Sequence, residues 1–355
     1  MRKLVIDRAA IKNNLTVIKD RAAGAAIYGV VTGDGQGVGA AALAQLLRDE
    51  GIGRFAVSEV SEAEALRQAG FVDEEILMLR ATTDREELER LVDLNVVCTV
   101  SSVDTGMALN ALAGNRSTVA EAHIQVDTGM GFGGFLVSEP EKLLLAYRSM
   151  PNVALSGVYT QLHAARPNDP QAKRQLEQFQ QALDAIHQAG FETGVVHAAG
   201  SFALLHGLAP ELDGVRAGSA ILGRCRRTRD DELKTVGFGQ APLTEVRWLP
   251  KGHVLGVDRP VTLKKPTRVA VLPVGYQNGF GVTRPRETGL LAAIARWRKN
   301  NRRTVRLGSQ RARVLGGLGA SELILDVTDL KCSVGDLATF EMDPLFARGF
   351  QVEFR

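Results

Sequence analysis

Between about residues 26 and 217, short apolar runs alternate with longer stretches in which apolar positions recur every three or four residues. The runs Ile27–Val31, Phe55–Val57, Ile76–Leu79, Val96–Val100, His123–Val126, Leu155–Val158, Val195–His197 and Val215–Ala217 predict eight strands. They stand roughly 20–40 residues apart, the interval that a strand–helix unit occupies. Helices are predicted between them: AALAQLLRDEG closes on Gly51, and SEAEALRQAG starts on a Ser61 cap with Glu64 three residues later. Another, over about 171–189, stops at Gly190. Eight parallel units close most economically into a (β/α)8 TIM barrel, with a doubly wound open sheet as the competing α/β arrangement. After Gly223 the texture changes. From about residue 240 the runs LTEVRWL, KGHVLGV, TRVAVLPVGY, ARVLGGLG, ELILDVTDL and LATFEM are short, β-rich and separated by Gly or Pro, which predicts a C-terminal antiparallel β domain. The charged stretch RCRRTRDDELKTVG is the natural linker, so we place a barrel over 8–230 and a β domain over 231–355.

Composition narrows the class. The 355 residues are 45% apolar and 23% charged, a globular balance that excludes disorder and collagen-like repeats. No apolar run approaches the ~20 residues of a membrane span, and MRKLVIDRAAIKNN lacks a signal-peptide core. Cys98, Cys225 and Cys332 are isolated, without a CxxC, which argues against disulfides or a zinc site and for the cytoplasm. A net charge of +3 does not announce a nucleic-acid binder. It conceals a basic segment, however: Arg284, Arg286, Arg296, Arg298, Lys299, Arg302, Arg303, Arg306, Arg311 and Arg313 face a single acid, Glu287. Within it, Glu287–Arg303 has the pattern of an amphipathic helix with Leu290, Leu291, Ile294 and Trp297 on one face. Such a helix (an insertion at about 285–305) either packs by its apolar stripe or offers its basic face to an acidic partner.

In a β/α barrel, chemistry sits on the loops after the strands. Strand one is followed by the glycine-rich Val30–Gly39, strand five by Asp127–Phe135, strand seven by Ala198-Ala199-Gly200-Ser201, and strand eight by Gly218-Ser219. A serine and backbone amides after strands seven and eight suit a phosphate or another small anion. His163 after strand six reads as a surface histidine, and His187 and His206 lie in helical patterns.

These loops resemble the alanine racemase family of type III fold pyridoxal-phosphate enzymes, over essentially the whole chain. HIQVDTGMGFGGF is similar to the family's H-x-K-x-DTGMGRLGF, VHAAGS to VHAANS, and DGVRAGSAILG to D-x-VRPGIALYG. VLPVGYQNGF is similar to P-x-GYADGY, and LILDVTDL followed by VGD to the C-terminal MVDVTDL…VGDEV. The opening KLVIDRAAIKNNL resembles the family's first strand and helix, which implies that the strand at 1–7 joins the β domain. The resemblance also implies a homodimer, since the family builds each site from one barrel and the other chain's β domain.

The departures fall on chemistry. The family's VVKANAYGHG carries a lysine that holds the cofactor through an imine and serves as one of two racemising bases; here VVTGDGQGVG puts Thr32 there, and Gln36 replaces a phosphate-binding tyrosine. The second base, a tyrosine of the β domain, aligns with Val257. Threonine offers no amine and valine no exchangeable proton. Phe132 replaces the arginine that helps hold the substrate carboxylate, Gln125 replaces its lysine partner, and Gly319, Ala320 and Ser321 replace a cysteine–methionine–aspartate run contributed by the partner subunit. The resemblance therefore implies no catalytic residue and no covalently held cofactor. His197, Ser201, Arg216, Gly218, Ser219 and Tyr276 keep the family's cofactor-binding positions. They read either as a remnant pocket for a small anionic ligand, with pyridoxal phosphate held only non-covalently, or as structure. The expectation is an alanine racemase homologue without racemase activity. An active racemase using other residues, and an adaptor for an acidic partner, are the alternatives.

Overall fold

The computed structural model describes residues 1–163, 169–208, 211–225, 232–256, 260–283 and 303–355. The chain divides into two compact units, Ala10–Thr235 and Met1–Ala9 together with Val236–Arg355. In the first, eight parallel barrel strands follow in chain order: β1 Ala26–Val30, β2 Arg54–Val57, β3 Glu75–Met78, β4 Cys98–Val100, β5 Ala120–Asp127, β6 Val153–Tyr159, β7 Val195–Gly200 and β8 Gly214–Ala217. They pair in the circular order β3-β2-β1-β8-β7-β6-β5-β4. The ring closes where Met78 N donates to Val97 O and Val97 N to Ile76 O, both at 2.8 Å. An open doubly wound sheet is thereby excluded. A short strand, Phe135–Leu136, adds to β5.

All eight predicted strands are present, because a parallel sheet covered by helices buries both faces and reads as unbroken apolar runs. The helices follow too, at Ala40–Asp49 and Pro170–Gln188. One cap differs. The helix Val60–Gln68 is capped two residues earlier than Ser61, by Glu59 in a box with Glu62. The Glu62 carboxylate accepts from Ser58 N, Glu59 N and, across the barrel top, Asp34 N. That contact between segments fixes the register against the local Ser61/Glu64 pattern.

Between β1 and the helix Ala40–Asp49 the backbone makes a left-handed turn: Gly33, Asp34, Gly35 and Gln36 all have φ between 52° and 67°. For Asp34 and Gln36 this costs about 1–2 kcal/mol each. The turn is held by Gly35 N to Val31 O at 2.8 Å, Gly39 N to Asp34 O at 2.9 Å and Ala40 N to Asp34 Oδ1 at 2.9 Å. At Gly35 a Cβ would lie 3.0–3.3 Å from Ala40 and Leu43, so glycine serves both dihedral and space.

The second unit is a nine-stranded, mostly antiparallel sheet in the order Glu245–Leu249, Thr267–Leu272, Leu323–Asp326, Gln310–Leu315, Thr304–Leu307, Leu337–Glu341, Phe238–Pro242, Lys3–Ile6 and Gln351–Phe354. Lys3–Ile6 is antiparallel to Phe238–Pro242 and parallel to Gln351–Phe354. Leu249, Leu255, Leu263, Val269 and Leu315 form a core on one face. Val257 and residues 284–302 of the basic segment lie outside the described residues.

Candidate ligand site at the mouth of the barrel

Strand register places the polar side chains of the barrel interior. Arg216 on β8 is level with Tyr28 on β1, His197 on β7 with Tyr159 on β6, and Thr99 on β4 with His123 on β5. His197 is sandwiched between the rings of Tyr28 and Tyr159, with centroids 5.1 and 5.0 Å away and planes within 19°. Arg216 lies over Tyr159 at 5.0 Å and is 4% exposed. Its Nη1 donates to His197 Nδ1 at 2.5 Å, and its Nη2 donates to Thr160 O at 2.7 Å and Gln161 Oε1 at 2.9 Å.

Guanidinium has no acceptor, so these distances set the tautomers. His197 Nδ1 must accept from Arg216; its proton therefore sits on Nε2, which donates to His123 Nδ1 at 2.9 Å. The remaining proton of His123 is then on Nε2. Both histidines are neutral: burial pushes His123 down to about 4 and His197 well below the ordinary value, with Arg216 acting in the same direction. Burial also lowers Arg216, to about 10, which leaves it charged at neutral pH. At the opposite side of the layer, Tyr28 Oη donates to Glu75 Oε1 at 2.7 Å and Arg54 Nε to Glu75 Oε2 at 2.9 Å.

The strand ends after β7 and β8 meet through Ser201. Its Oγ accepts from Gly218 N at 2.9 Å and Ala220 N at 3.2 Å, which leaves its own proton to donate elsewhere. Ser219 Oγ lies 2.8 Å from Cys225 Sγ. Gln36 packs on the same spot, since a Cβ on Gly218 would meet Gln36 Nε2 at 2.6 Å. Thus His197, Arg216, Ser201, Gly218 and Ser219 share one end of the barrel. Tyr276 belongs to the β unit, in a short turn where it is 52% exposed.

The departing positions are also placed. Thr32 opens the left-handed turn after β1, half-buried, and its hydroxyl makes no hydrogen bond among the described residues. Phe132 is 80% exposed on a loop whose Asp127 carboxylate accepts from the amides of Gly129, Met130 and Gly131. Gly319 and Ala320 lie in the β unit, where their carbonyls accept from Tyr276 N and Gln277 N. His163 is exposed and held by its backbone amide to Gln175; His187 Nε2 is 3.5 Å from Thr193 Oγ1, and His206 leans against Phe202 with the rings tilted by 49°. None of the three enters the interior cluster. The loops after β1 to β7 contain no lysine; the long segment after β8 has Lys234, which is exposed and bonds through its backbone to Asn14. Among the described residues no three His, Cys, Asp or Glu side chains converge as metal ligands, and no helix is long and apolar enough to cross a membrane.

Tyr28, Glu75, Thr99, His123 and Tyr159 were not singled out from sequence as site residues. Their signal is a polar or amphipathic side chain inside an otherwise apolar strand run, and only register shows that they face one another.

A closed parallel barrel with an arginine–histidine pair inside, an anion-suited mouth and a separate β domain define the type III fold of pyridoxal-phosphate proteins. The family model "Alanine racemase, N-terminal domain" matches residues 6–225, and "Alanine racemase, C-terminal domain" matches residues 239–343. The chain belongs to the alanine racemase family. It is similar to alanine racemases of Desulfovibrio desulfuricans (30% identical, covering 93% of this chain and 86% of the relative) and Clostridium novyi (28%, covering 93% and 82%). The crystal structure of alanine racemase from Bartonella henselae with covalently bound pyridoxal phosphate superposes with a TM-score of 0.84 at 21% identity, covering 100% of this chain and 99% of that one.

Proposed function

We propose that this chain is an alanine racemase homologue without racemase activity, which holds a small anionic ligand non-covalently at the ends of β7 and β8. The observation that carries the reading is Thr32 at the family's lysine position, with no lysine in the loops after β1 to β7 and only the exposed Lys234 in the segment after β8. Without an amine there is no imine, and with Val257 at the tyrosine position neither face of a substrate meets the family's base. What the site keeps is binding chemistry: the unshared proton of Ser201, and an Arg216 Nε that makes no hydrogen bond among the described residues. These groups fit an anion or a ring-nitrogen acceptor. They do not fit a covalently tethered group.

Pyridoxal phosphate, where bound, supplies an electron sink for chemistry at an amino-acid Cα. Here the free proton of Ser201 would hold its phosphate and Arg216 its ring nitrogen. Arg216 is fixed by His197 and in turn keeps that imidazole neutral, so the pair orients a ligand and moves no proton at Cα. The same reading makes the protein a cytoplasmic homodimer. The experiment is a titration of purified protein with pyridoxal phosphate, followed by absorbance and by turnover of each alanine enantiomer. Saturable binding that borohydride cannot trap, with no turnover, is the expected result. A second reading, an active racemase with substitute bases, is favoured by the intact Arg216–His197–His123 chain. A borohydride-trappable visible band together with turnover of either enantiomer would establish it and overturn the first.

A further inference from the structure

The hairpin Thr304–Leu307 and Gln310–Leu315 carries three arginines that the mouth of the barrel does not explain. Arg306 stands directly opposite Arg311, and Arg313 lies two positions further along opposite Thr304. Val305, Leu307 and Ala312 are buried, so the alternation turns all three arginines to the exposed face. Opposed positions hold their Cβ atoms about 5 Å apart, and like charges there are destabilising. None of the three makes an ion pair or side-chain hydrogen bond among the described residues, and no carboxylate stands opposite Arg306 or Arg311. Arg313 is the exception, because Asp326 stands opposite it on the other flank, its Oδ1 accepting from Thr328 N and Oγ1 at 3.1 and 2.7 Å. The sequence leading into the hairpin is basic as well. Residues 284–313 hold ten basic side chains against one acid, which leaves the rest of the chain at net −6.

We propose that this hairpin face docks an extended acidic protein segment. Carboxylates at alternate positions of an extended chain recur every ~6.8 Å, the spacing of Arg311 and Arg313 along their strand, and a carboxylate between Arg306 and Arg311 relieves their repulsion. Nucleic acid is the poorer fit. Neither hairpin strand has an aromatic side chain for base stacking, and the acidic remainder of the molecule repels a long polyanion.

The test uses the full chain and fluorescence anisotropy with three labelled probes: a peptide with glutamate at alternate positions, an isomer with the same glutamates in one block, and an oligothymidylate of equal charge. The alternating peptide is expected to bind at least fivefold tighter than the block isomer and tighter than the oligonucleotide. Arg306→Glu and Arg311→Glu should each weaken it tenfold or more, Arg311→Gln by a smaller factor, and Arg21→Glu on the barrel not at all. Arg311→Gln removes one charge at an exposed position, so it serves if a reversal perturbs folding. Unchanged affinity in folded hairpin variants, equal binding of the block isomer, or tighter binding of the oligothymidylate would each overturn the proposal.

Discussion

On the proposed reading, what Thr32 lacks is an amine. A hydroxyl at the end of β1 has neither the nucleophilicity nor the reach of a lysine amine, so restoring the amine tests what else has been lost. Thr32→Lys is expected to give a visible absorbance band with added pyridoxal phosphate, because Arg216 and Ser201 are still in place to orient the ligand. Adding Val257→Tyr restores both bases on paper. The double variant should still run about a hundredfold or more below a family racemase, since the substrate's carboxylate is left without its clamp and misplacement alone costs about that much. The reason is visible at two further residues. Phe132 is exposed at the position where the family resemblance implies an arginine, and Gln36 packs on Gly218 at the position where it implies a tyrosine. Turnover of the double variant at a full family rate, measured in both directions, would mean that Phe132 and Gln36 are incidental.

Among the elements, the left-handed turn and the helix Val60–Gln68 stabilise each other through one carboxylate. Glu62 accepts from three backbone amides, one of which, Asp34 N, lies inside the strained turn. Hydrogen bonds to a charged acceptor contribute about 1.5–3 kcal/mol, and the loss is partly recovered by water. Glu62→Ala is therefore expected to cost about 2–3 kcal/mol in urea unfolding, and Glu64→Ala, which loses a surface pair with Arg90, under about 1 kcal/mol. The reverse order would put the cap back at Ser61. This element also marks how far the sequence could be read. The eight strands were legible because each is a contiguous apolar run, and the turn was legible as a glycine-rich loop. The cap was not, because Ser61 and Glu64 satisfy the local pattern as well as Glu59 and Glu62 do, and the deciding bond comes from a residue 28 positions away. The interior polar layer was hidden for a related reason. Tyr28 and Tyr159 read as ordinary strand residues, and it takes the pairing of β8 with β1 and of β6 with β7 to bring them against Arg216 and His197. The family motif points to His197, Ser201 and Arg216, and the strand ends after β7 and β8 put these three at one end of the barrel.

For the whole molecule, a barrel filled with polar side chains ties stability to pH. His123 and His197 face Arg216, with Glu75 and Arg54 further off, and both are held neutral by burial. An unfolded histidine takes up a proton near pH 6.5, whereas folded His123 resists until about 4. Between those values the unfolded chain binds more protons than the native one, so acid favours unfolding. Stability should be level above pH 7 and then fall as pH drops through 6.5 towards 4, by up to about 1.4 kcal/mol per pH unit for each histidine. The Glu87 carboxylate, held at about 2 by Arg80, works in a separate window: its contribution is present above about 4.5 and is lost only below that. The measurement is urea unfolding at pH 7.5, 6 and 5. Far-ultraviolet circular dichroism is the appropriate probe, because no tryptophan occurs between Ala10 and Thr235. His123→Gln keeps a hydrogen-bonding amide beside His197 and removes one titrating group, so it should lower stability at pH 7.5 yet cut the slope between pH 6.5 and 5 by about half. A wild-type protein equally stable at pH 7.5 and 5 would mean that the histidines are charged or solvated in the folded barrel, and the deduced chain of tautomers from Arg216 to His123 would fall with it.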